Sequence, residues 1–298
     1  MPCLLQVSDY RKKVDLAKNS YEPLDEGPTH ATEHKWSYMK CDHANQHFVV
    51  HNVKGYLMQK VVNFIMNLRT TQHSFYLSRH GQSEYNNLGR IGGDSSLAFH
   101  GVKYAEKLAE FVETTITKDA NGNDRPARLW TSTMKRTKET AQFIKHPTLV
   151  IKPDPEDPTF NFEWLQMRPR AWHHLDELFA GSCDGMTYEE IEEKYPEEWE
   201  RRNTDKLAYR YPRGESYLDV IARLEPIIIE MESSQDPLLI IAHQGILRII
   251  YAFYMNFSRA EAPYLSIPLN EVIELNPGAV LCTEKVGDGM VCCRLSHA

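Results

Sequence analysis

Phe75-Tyr76-Leu77-Ser78-Arg79-His80-Gly81-Gln82-Ser83-Glu84 couples a short β-prone run, Ser74 to Ser78, to an abrupt Arg-His-Gly. A strand ending there sets Arg79, His80 and Gly81 at the carboxyl edge of a sheet, where open α/β folds bind ligands. His80 is then a nucleophile candidate with a permanent cation beside it. Gly81 lets the backbone turn sharply and a ligand come close. The same residues also fit a plain strand end with a surface histidine and arginine, so the rest of the chain has to decide.

Downstream, two more strand ends carry chemistry. Leu129-Trp130-Thr131 reads as a short buried strand, and Ser132-Thr133-Met134-Lys135-Arg136-Thr137 leads into a helix start. A cation in that first turn opposes the helix dipole, so Arg136 there suggests an anion to meet. Leu238-Leu239-Ile240-Ile241-Ala242 is near-continuously apolar, as in a strand buried on both faces, and it ends in His243-Gln244-Gly245. Between these lie a glycine-rich loop, Gly89-Arg90-Ile91-Gly92-Gly93-Asp94, and a helix from about Phe99 to Thr115 with Val102, Ala105, Leu108, Ala109 and Val112 inward. Pro147 to Pro169 reads as a long, poorly patterned insertion, followed by Leu175-Asp176-Glu177-Leu178. Thr187-Tyr188-Glu189-Glu190 has capping-box form, and Ser216 to Met231 is helical in pattern. Glu271 to Cys293 holds short strand-like runs. Strands alternating with helices predict an α/β fold, a three-layer sandwich with a mainly parallel sheet and helices on both faces.

Upstream the signals concern packing. His47 to Val53 reads as a strand, and Leu57, Val61, Phe64, Ile65 and Leu68 are spaced for a helix with one buried face. Tyr21 to Pro28 reads as non-regular, and His30-Ala31-Thr32-Glu33-His34 has the form of a zinc pattern. It follows a Gly-Pro break with little apolar periodicity, so a solvated loop is the better reading.

Composition narrows the classes. The formal net charge of −7 speaks against nucleic acid and against an anionic membrane surface, so an anionic substrate needs a local basic pocket. Six cysteines without a CxxC pair read as free thiols of a reducing compartment. The first residues show no signal peptide, and the most apolar window, Pro237 to Phe257, is broken by polar residues. The expected location is the cytoplasm, with no membrane partner.

Arg79, His80, Arg136 and His243, with Glu177 in a loop, supply every role of a phosphoryl transfer that needs neither metal nor cofactor. Arginines hold the equatorial oxygens, a neutral imidazole attacks phosphorus, and a carboxylic acid protonates the leaving oxygen. Arg202, Lys206 and Arg210 recur every four residues, a spacing that stacks them on one helical face, although Pro212 limits such a helix. Alone, that basic stretch would read as a solvated face balancing Glu189 to Glu200.

On these residues the chain resembles the histidine phosphatase superfamily, whose fold is also that of phosphoglycerate mutases. More narrowly, it is similar to the fructose-2,6-bisphosphatase domains of bifunctional 6-phosphofructo-2-kinase/fructose-2,6-bisphosphatases. The resemblance is carried by Leu77 to Asn86 with Gly89 to Asp94, by Trp130-Thr131-Ser132 with Met134 to Thr137, and by Met186 to Ile191. Tyr195 to Glu198, Tyr209 to Pro212, Gly214 to Tyr217 and Ala242-His243-Gln244 add to it. It covers about 74–298 as one domain, with residues 1–73 resembling only the closing segment of the kinase domain.

The resemblance implies hydrolysis of the C2 phosphate of fructose 2,6-bisphosphate through a phosphohistidine. His80 would be the nucleophile and Glu177 the acid, then the base, with Asp176 as the alternative acid. Arg79, Arg136, His243 and Asn86 would hold the transferred group. Gly92, Tyr188, Arg202, Lys206, Arg210, Tyr217, Gln244 and Arg248 would bind the rest of the sugar bisphosphate. Catalysis also asks for an apolar setting around Glu177, here Leu175, Leu178 and Phe179. One departure from the family pattern is Gln82, which stands where a glutamate is usual. Another histidine phosphatase or mutase activity is a rival reading, as is a non-catalytic sugar-phosphate-binding partner of a separate kinase chain. A homo-oligomer is also left open.

Overall fold

The computed structural model describes residues 12–16, 36–42, 47–67, 74–151, 161–277 and 283–286. The Tyr21 to Pro28 stretch, the His30 to His34 pattern, Leu68 and Cys3, Cys282, Cys292 and Cys293 lie outside them. The chain divides into two units, Met1–Met66 and Asn67–Ala298.

In the first unit, strands β1 (Tyr38–Asp42) and β2 (His47–His51) pair antiparallel, Tyr38 opposite His51 and Asp42 opposite His47. Helix α1 (Tyr56–Asn67) follows. Spacing predicts one buried face on α1, but Leu57 is 72% and Val61 44% exposed, while Phe64 and Ile65 are half-buried. Periodicity states which residues share a face; what covers that face depends on neighbours.

The second unit is built on a six-stranded sheet. Its elements in chain order are β3 (Phe75–Arg79), the single turn α2 (Glu84–Asn87), α3 (Phe99–Phe111), β4 (Arg128–Thr131) and α4 (Lys135–Ala141). Then come β5 (Thr148–Ile151), β6 (Phe162–Leu165), β7 (Pro169–Ala171), α5 (Tyr188–Lys194) and α6 (Pro196–Thr204). α7 (Tyr217–Ser233), β8 (Leu238–Ala242), α8 (Gln244–Tyr254), β9 (Val272–Asn276) and β10 (Thr283–Val286) complete it. The strand order is β10-β9-β3-β8-β4-β7. β3, β8, β4 and β7 run parallel, and β9 and β10 add antiparallel pairings at one edge.

Alternation along the strands makes three layers. Phe75, Leu77, Leu238, Ile240 and Ala242 face Val220, Leu224 and Ile227 of α7 and Ile246, Leu247 and Ile250 of α8. Tyr76, Leu239 and Ile241 face Tyr104, Leu108 and Phe111 of α3 and Ala141 of α4. All five residues of β8 have 0% exposure, which explains its unbroken apolar sequence; each leucine or isoleucine so buried contributes about 1.5–3 kcal/mol. The fold is therefore α/β, a mixed, mainly parallel sheet between helices.

Two local expectations need correction. In the described parts of Pro147 to Pro169, which leave out 152–160, the insertion is patterned: β5 and β6 pair antiparallel, Thr148 opposite Leu165, and Pro169 opens β7 against β4. Four-residue strands are too short to impose a readable alternation. The helix from Phe99 keeps α geometry only to Phe111, where five residues, Val112–Ile116, continue as a π turn.

Candidate active site

Because β3, β8 and β4 are parallel neighbours, their carboxyl ends lie at one edge of the sheet. Arg79 pairs opposite Ala242, and the ladder runs one step further, His80 N–H donating to the Ala242 carbonyl at 3.0 Å. The rings of His80 and His243 consequently stand 5.1 Å apart. Gly81 is needed for packing: a Cβ there would lie 2.6 Å from the Gly101 carbonyl oxygen, at the start of α3. Its N–H is taken up by Thr140 Oγ1 of α4 at 2.9 Å.

His80 is 4% exposed, and its Nδ1 lies 2.8 Å from the Gly81 carbonyl oxygen. That oxygen can only accept, so Nδ1 carries the proton and Nε2 the lone pair. Burial, then the charge of Arg136 and that of Arg79, lower the imidazole pKa to about 3 against the opposing Gly81 bond. A ring that is neutral, with its tautomer fixed, is what a nucleophile at phosphorus requires.

Two arginines flank it. Arg136, 4% exposed, donates from one terminal nitrogen to the Gly93 carbonyl at 2.7 Å and from Nε to His243 Nδ1 at 3.2 Å. Arg79 spends one terminal nitrogen on the Ile267 carbonyl at 2.9 Å, while its Nε is buried without a partner among the described residues. Burial lowers the Arg79 pKa to about 10, the Glu177 carboxylate supports the charge and Arg248 opposes it. A buried guanidinium donor left unbonded is costly unless an acceptor arrives, and an oxyanion in the cavity would supply one. Asn86 adds a further donor: its Oδ1 caps the α2 turn by accepting from Ser83, which leaves its Nδ2 available to the cavity it lines.

His243 stands one layer back. It is 0% exposed and does not line the cavity. Since its Nδ1 accepts from Arg136, its Nε2 carries the proton and donates to Ser132 Oγ at 2.8 Å. Ser132 also receives the Met134 N–H, so its own proton goes to Thr137 Oγ1 at 2.8 Å, and Thr137 donates to the Met134 carbonyl. This relay fixes the His243 tautomer that holds Arg136.

Glu177 lines the same cavity, with one carboxylate oxygen bonded to the Leu178 N–H at 3.0 Å and the other to the Gly245 N–H of α8 at 3.4 Å. The apolar setting expected around it is incomplete. Leu175 is buried beneath the loop, but Phe179 is 51% exposed, and the carboxylate faces backbone donors and arginines. Asp176 is excluded as the alternative acid: it is occupied by the Thr133 N–H, the Thr133 hydroxyl and His173 Nδ1, and lies outside the cavity lining.

Arg202, Lys206 and Arg248 line the same cavity. Arg202 donates to Tyr211 OH at 2.8 Å and Tyr188 OH at 3.2 Å, with the Tyr188 ring 4.8 Å beneath it. Lys206 donates to the Pro263 carbonyl at 2.9 Å, and Arg248 to Tyr217 OH at 3.2 Å. Burial, then Arg248 and Arg202, lower the Lys206 pKa to about 8. Gly92 and Gln244 also line the space; a Cβ on Gly92 would fall 1.7 Å from an Asp184 carboxylate oxygen.

Arg210 does not join them. Helix α6 stops at Thr204, so the four-residue spacing no longer stacks side chains, and Arg210 instead pairs with Asp219. Gln82 bonds Asn87 at 2.6 Å and does not line the cavity. Sequence reasoning missed Arg90, Ser83, Tyr85 and Tyr211, all in the lining. Arg90 sat inside the glycine-rich loop already singled out, and its cation was the available signal.

The family model of the histidine phosphatase superfamily (branch 1) matches residues 75–157 and 161–280, and that of 6-phosphofructo-2-kinase matches residues 4–72. The chain is 40% identical over 278 residues to a 6-phosphofructo-2-kinase/fructose-2,6-bisphosphatase of Caenorhabditis elegans, covering 93% of this chain and 54% of that protein. It is 40% identical over 272 residues to a fructose-2,6-bisphosphatase of Saccharomyces cerevisiae, covering 91% and 53%. It thus spans about half the length of these curated relatives. Among solved structures, the Shigella flexneri alpha-ribazole phosphatase superposes with a TM-score of 0.56 at 17% identity, over 72% of this chain and 95% of that one. A mycobacterial glucosyl-3-phosphoglycerate phosphatase gives 0.54 at 23%, over 72% and 98%. At those identities the likeness is one of fold.

Proposed function

The chain belongs to the histidine phosphatase superfamily, and from that premise we propose that it hydrolyses the C2 phosphate of fructose 2,6-bisphosphate. The observation that carries this reading is the number of cations in one cavity. Arg79 and Arg136 flank the nucleophile; Arg202, Lys206 and Arg248 line the same space. A single phosphate needs only the first two, so the further three favour a bisphosphate. The relatives named as fructose-2,6-bisphosphatases supply the sugar.

In the first step, His80 Nε2 bonds to phosphorus and the bond from phosphorus to the C2 oxygen breaks. The Glu177 carboxyl gives its proton to that oxygen, releasing fructose 6-phosphate. Arg79 Nε, Arg136 and Asn86 Nδ2 meet the equatorial oxygens, where charge accumulates. In the second step, water attacks phosphorus, Glu177 takes its proton, and the bond to His80 breaks to give phosphate and the neutral imidazole. His243 keeps Arg136 in place throughout. Tyr188, Tyr217, Gln244 and Gly92 bound the sugar and its second phosphate. We assign this activity to residues 74–298 and read residues 1–73 as resembling the end of a kinase domain, which the match over 4–72 supports.

The test is phosphate release from fructose 2,6-bisphosphate and from 3-phosphoglycerate under identical conditions. We expect the sugar bisphosphate to be preferred by at least about a hundredfold in kcat/KM, the scale of two lost charge-assisted bonds. Preference for the three-carbon acid would point to a mutase-like enzyme, and turnover of neither to a binding partner.

A further inference from the structure

The Gly214-Glu215-Ser216 run is distinctive in sequence, yet only Ser216 has an evident local task, capping α7. Arg223, two turns along that helix, has no place in the cavity lining. Both converge on the loop that carries Glu177. Arg223 donates to the carbonyl of His174, to that of Asp176 at 2.6 Å and to that of Glu177 at 3.4 Å. Its remaining bonds go to both oxygens of the Glu215 carboxylate, at 2.9 and 3.2 Å. Glu215 in turn takes the Phe179 N–H at 3.0 Å, and its own N–H bonds the Phe179 carbonyl at 2.9 Å. A Cβ on Gly214 would lie 2.4 Å from that carbonyl oxygen, so only glycine permits the approach.

Each of these side-chain bonds ends on the segment 174–179 or on the carboxylate that also holds it. α7 needs none of them for its own attachment, since Val220, Leu224 and Ile227 anchor it in the core. The loop's other anchors are side chains, the buried Leu175 and the Asp176 carboxylate on Thr133, whereas Leu178 is half-buried and Phe179 mostly exposed. The planar guanidinium fork is the group suited to gripping several acceptors at once.

Resting on the phosphatase reading above, we infer that Arg223 and Glu215 are positioning residues: they clamp the main chain on both sides of Glu177 and so aim its carboxyl at the leaving oxygen and at the attacking water. Neither touches the reacting atoms. Misplacing a catalytic group by about 1 Å costs on the order of 10²-fold, within the 10²–10⁴ that a general acid–base supplies.

The experiment is a double-mutant cycle between Arg223→Lys and Glu177→Gln, with p-nitrophenyl phosphate and fructose 2,6-bisphosphate as substrates. Nitrophenolate leaves without a proton, so the burst reports attack by His80 alone, and the steady state reports hydrolysis of the phosphohistidine. Arg223→Lys is expected to leave the burst rate within about threefold while slowing the steady state and sugar bisphosphate turnover about a hundredfold. In the Glu177→Gln background it should change neither by more than about threefold. Glu215→Gln, which keeps an acceptor for the Phe179 N–H, should show the same pattern at about a tenfold loss, and it carries the test if Arg223→Lys does not fold. Losses that multiply in the double variant, or a burst slowed as much as the steady state, would overturn the clamp alone. Wild-type turnover by Glu177→Gln would overturn the acid–base role of Glu177 and the clamp with it, whereas no phosphate release from fructose 2,6-bisphosphate by the wild-type protein would overturn the phosphatase reading itself.

Discussion

His80 owes its neutrality to its position, and this has a consequence for pH. Folded, the ring stays unprotonated down to a pKa of about 3; unfolded, it takes a proton near 6.5. Between those values the unfolded chain binds more protons, so stability is complete above pH 6.5 and falls as the pH drops towards 3. Between pH 7 and pH 5 this single group should remove about 2 kcal/mol. Urea unfolding of wild type and His80→Ala at both pH values measures it: the loss on acidification should be smaller in the variant by that amount, and an equal loss would mean that His80 titrates normally. At this scale the sequence was readable where a residue's place follows from a strand end, as for Arg79, His80 and Arg136, which all line the cavity. It was unreadable where the role comes from a neighbour distant in the chain. Nothing local to Asp176 announces that Thr133 occupies it, and Arg223, beside an apolar stripe, reads as the solvent face of an amphipathic helix.

Among the elements, the contact between the β3 end and α3 is made glycine against glycine. Intrinsic helix preference would favour alanine at Gly101 by about 1 kcal/mol. A Cβ there, however, would stand 2.2 Å from the Gln82 carbonyl oxygen and 2.9 Å from its nitrogen, both backbone atoms. Overpacking of that kind costs about 1–3 kcal/mol and outweighs the propensity. Gly101→Ala should therefore lower stability in urea unfolding and also impair turnover, because it pushes on the residue next to Gly81. A more stable, fully active variant would show that this junction has slack. β3, β4 and β8 were legible because strands buried on both faces are apolar throughout. α6 was overextended, since Arg202, Lys206 and Arg210 have helical spacing while the chain leaves the helix at Thr204. Lys206 reaches the cavity from the following loop, and Arg210 turns to Asp219.

The whole molecule is acidic, with a formal net charge of −7, yet its cavity lining holds Arg79, Arg90, Arg136, Arg202, Lys206 and Arg248 against the single carboxylate of Glu177. Attraction of an anionic substrate is thus local, and raising the salt should lower kcat/KM for a bisphosphate more than for a monoester. Lys206→Ala removes a cation other than the two, Arg136 and Arg79, that act on His80. A charge-assisted bond contributes about 1.5–3 kcal/mol, so use of fructose 2,6-bisphosphate should fall roughly 10- to 150-fold, with hydrolysis of a small monophosphate ester almost unchanged. Parallel assays of both substrates decide this. Equal losses would tie Lys206 to the reacting phosphate or to the fold, and no loss would leave the further cations without a ligand. That one cavity gathers so many cations could not be foreseen from the chain's overall charge, because it depends on residues as far apart in the chain as Arg79 and Arg248.

The central claim is that phosphate passes through His80. The most direct measurement is acid-free quenching of the protein mixed with fructose 2,6-bisphosphate labelled in its C2 phosphate, followed by mapping of the label. The expected result is a phosphorylated protein that survives base, is lost in acid, carries the label on His80 and is absent from His80→Ala. Phosphate release at the full rate with no labelled protein at any time of quenching, or label on a residue other than His80, would contradict it.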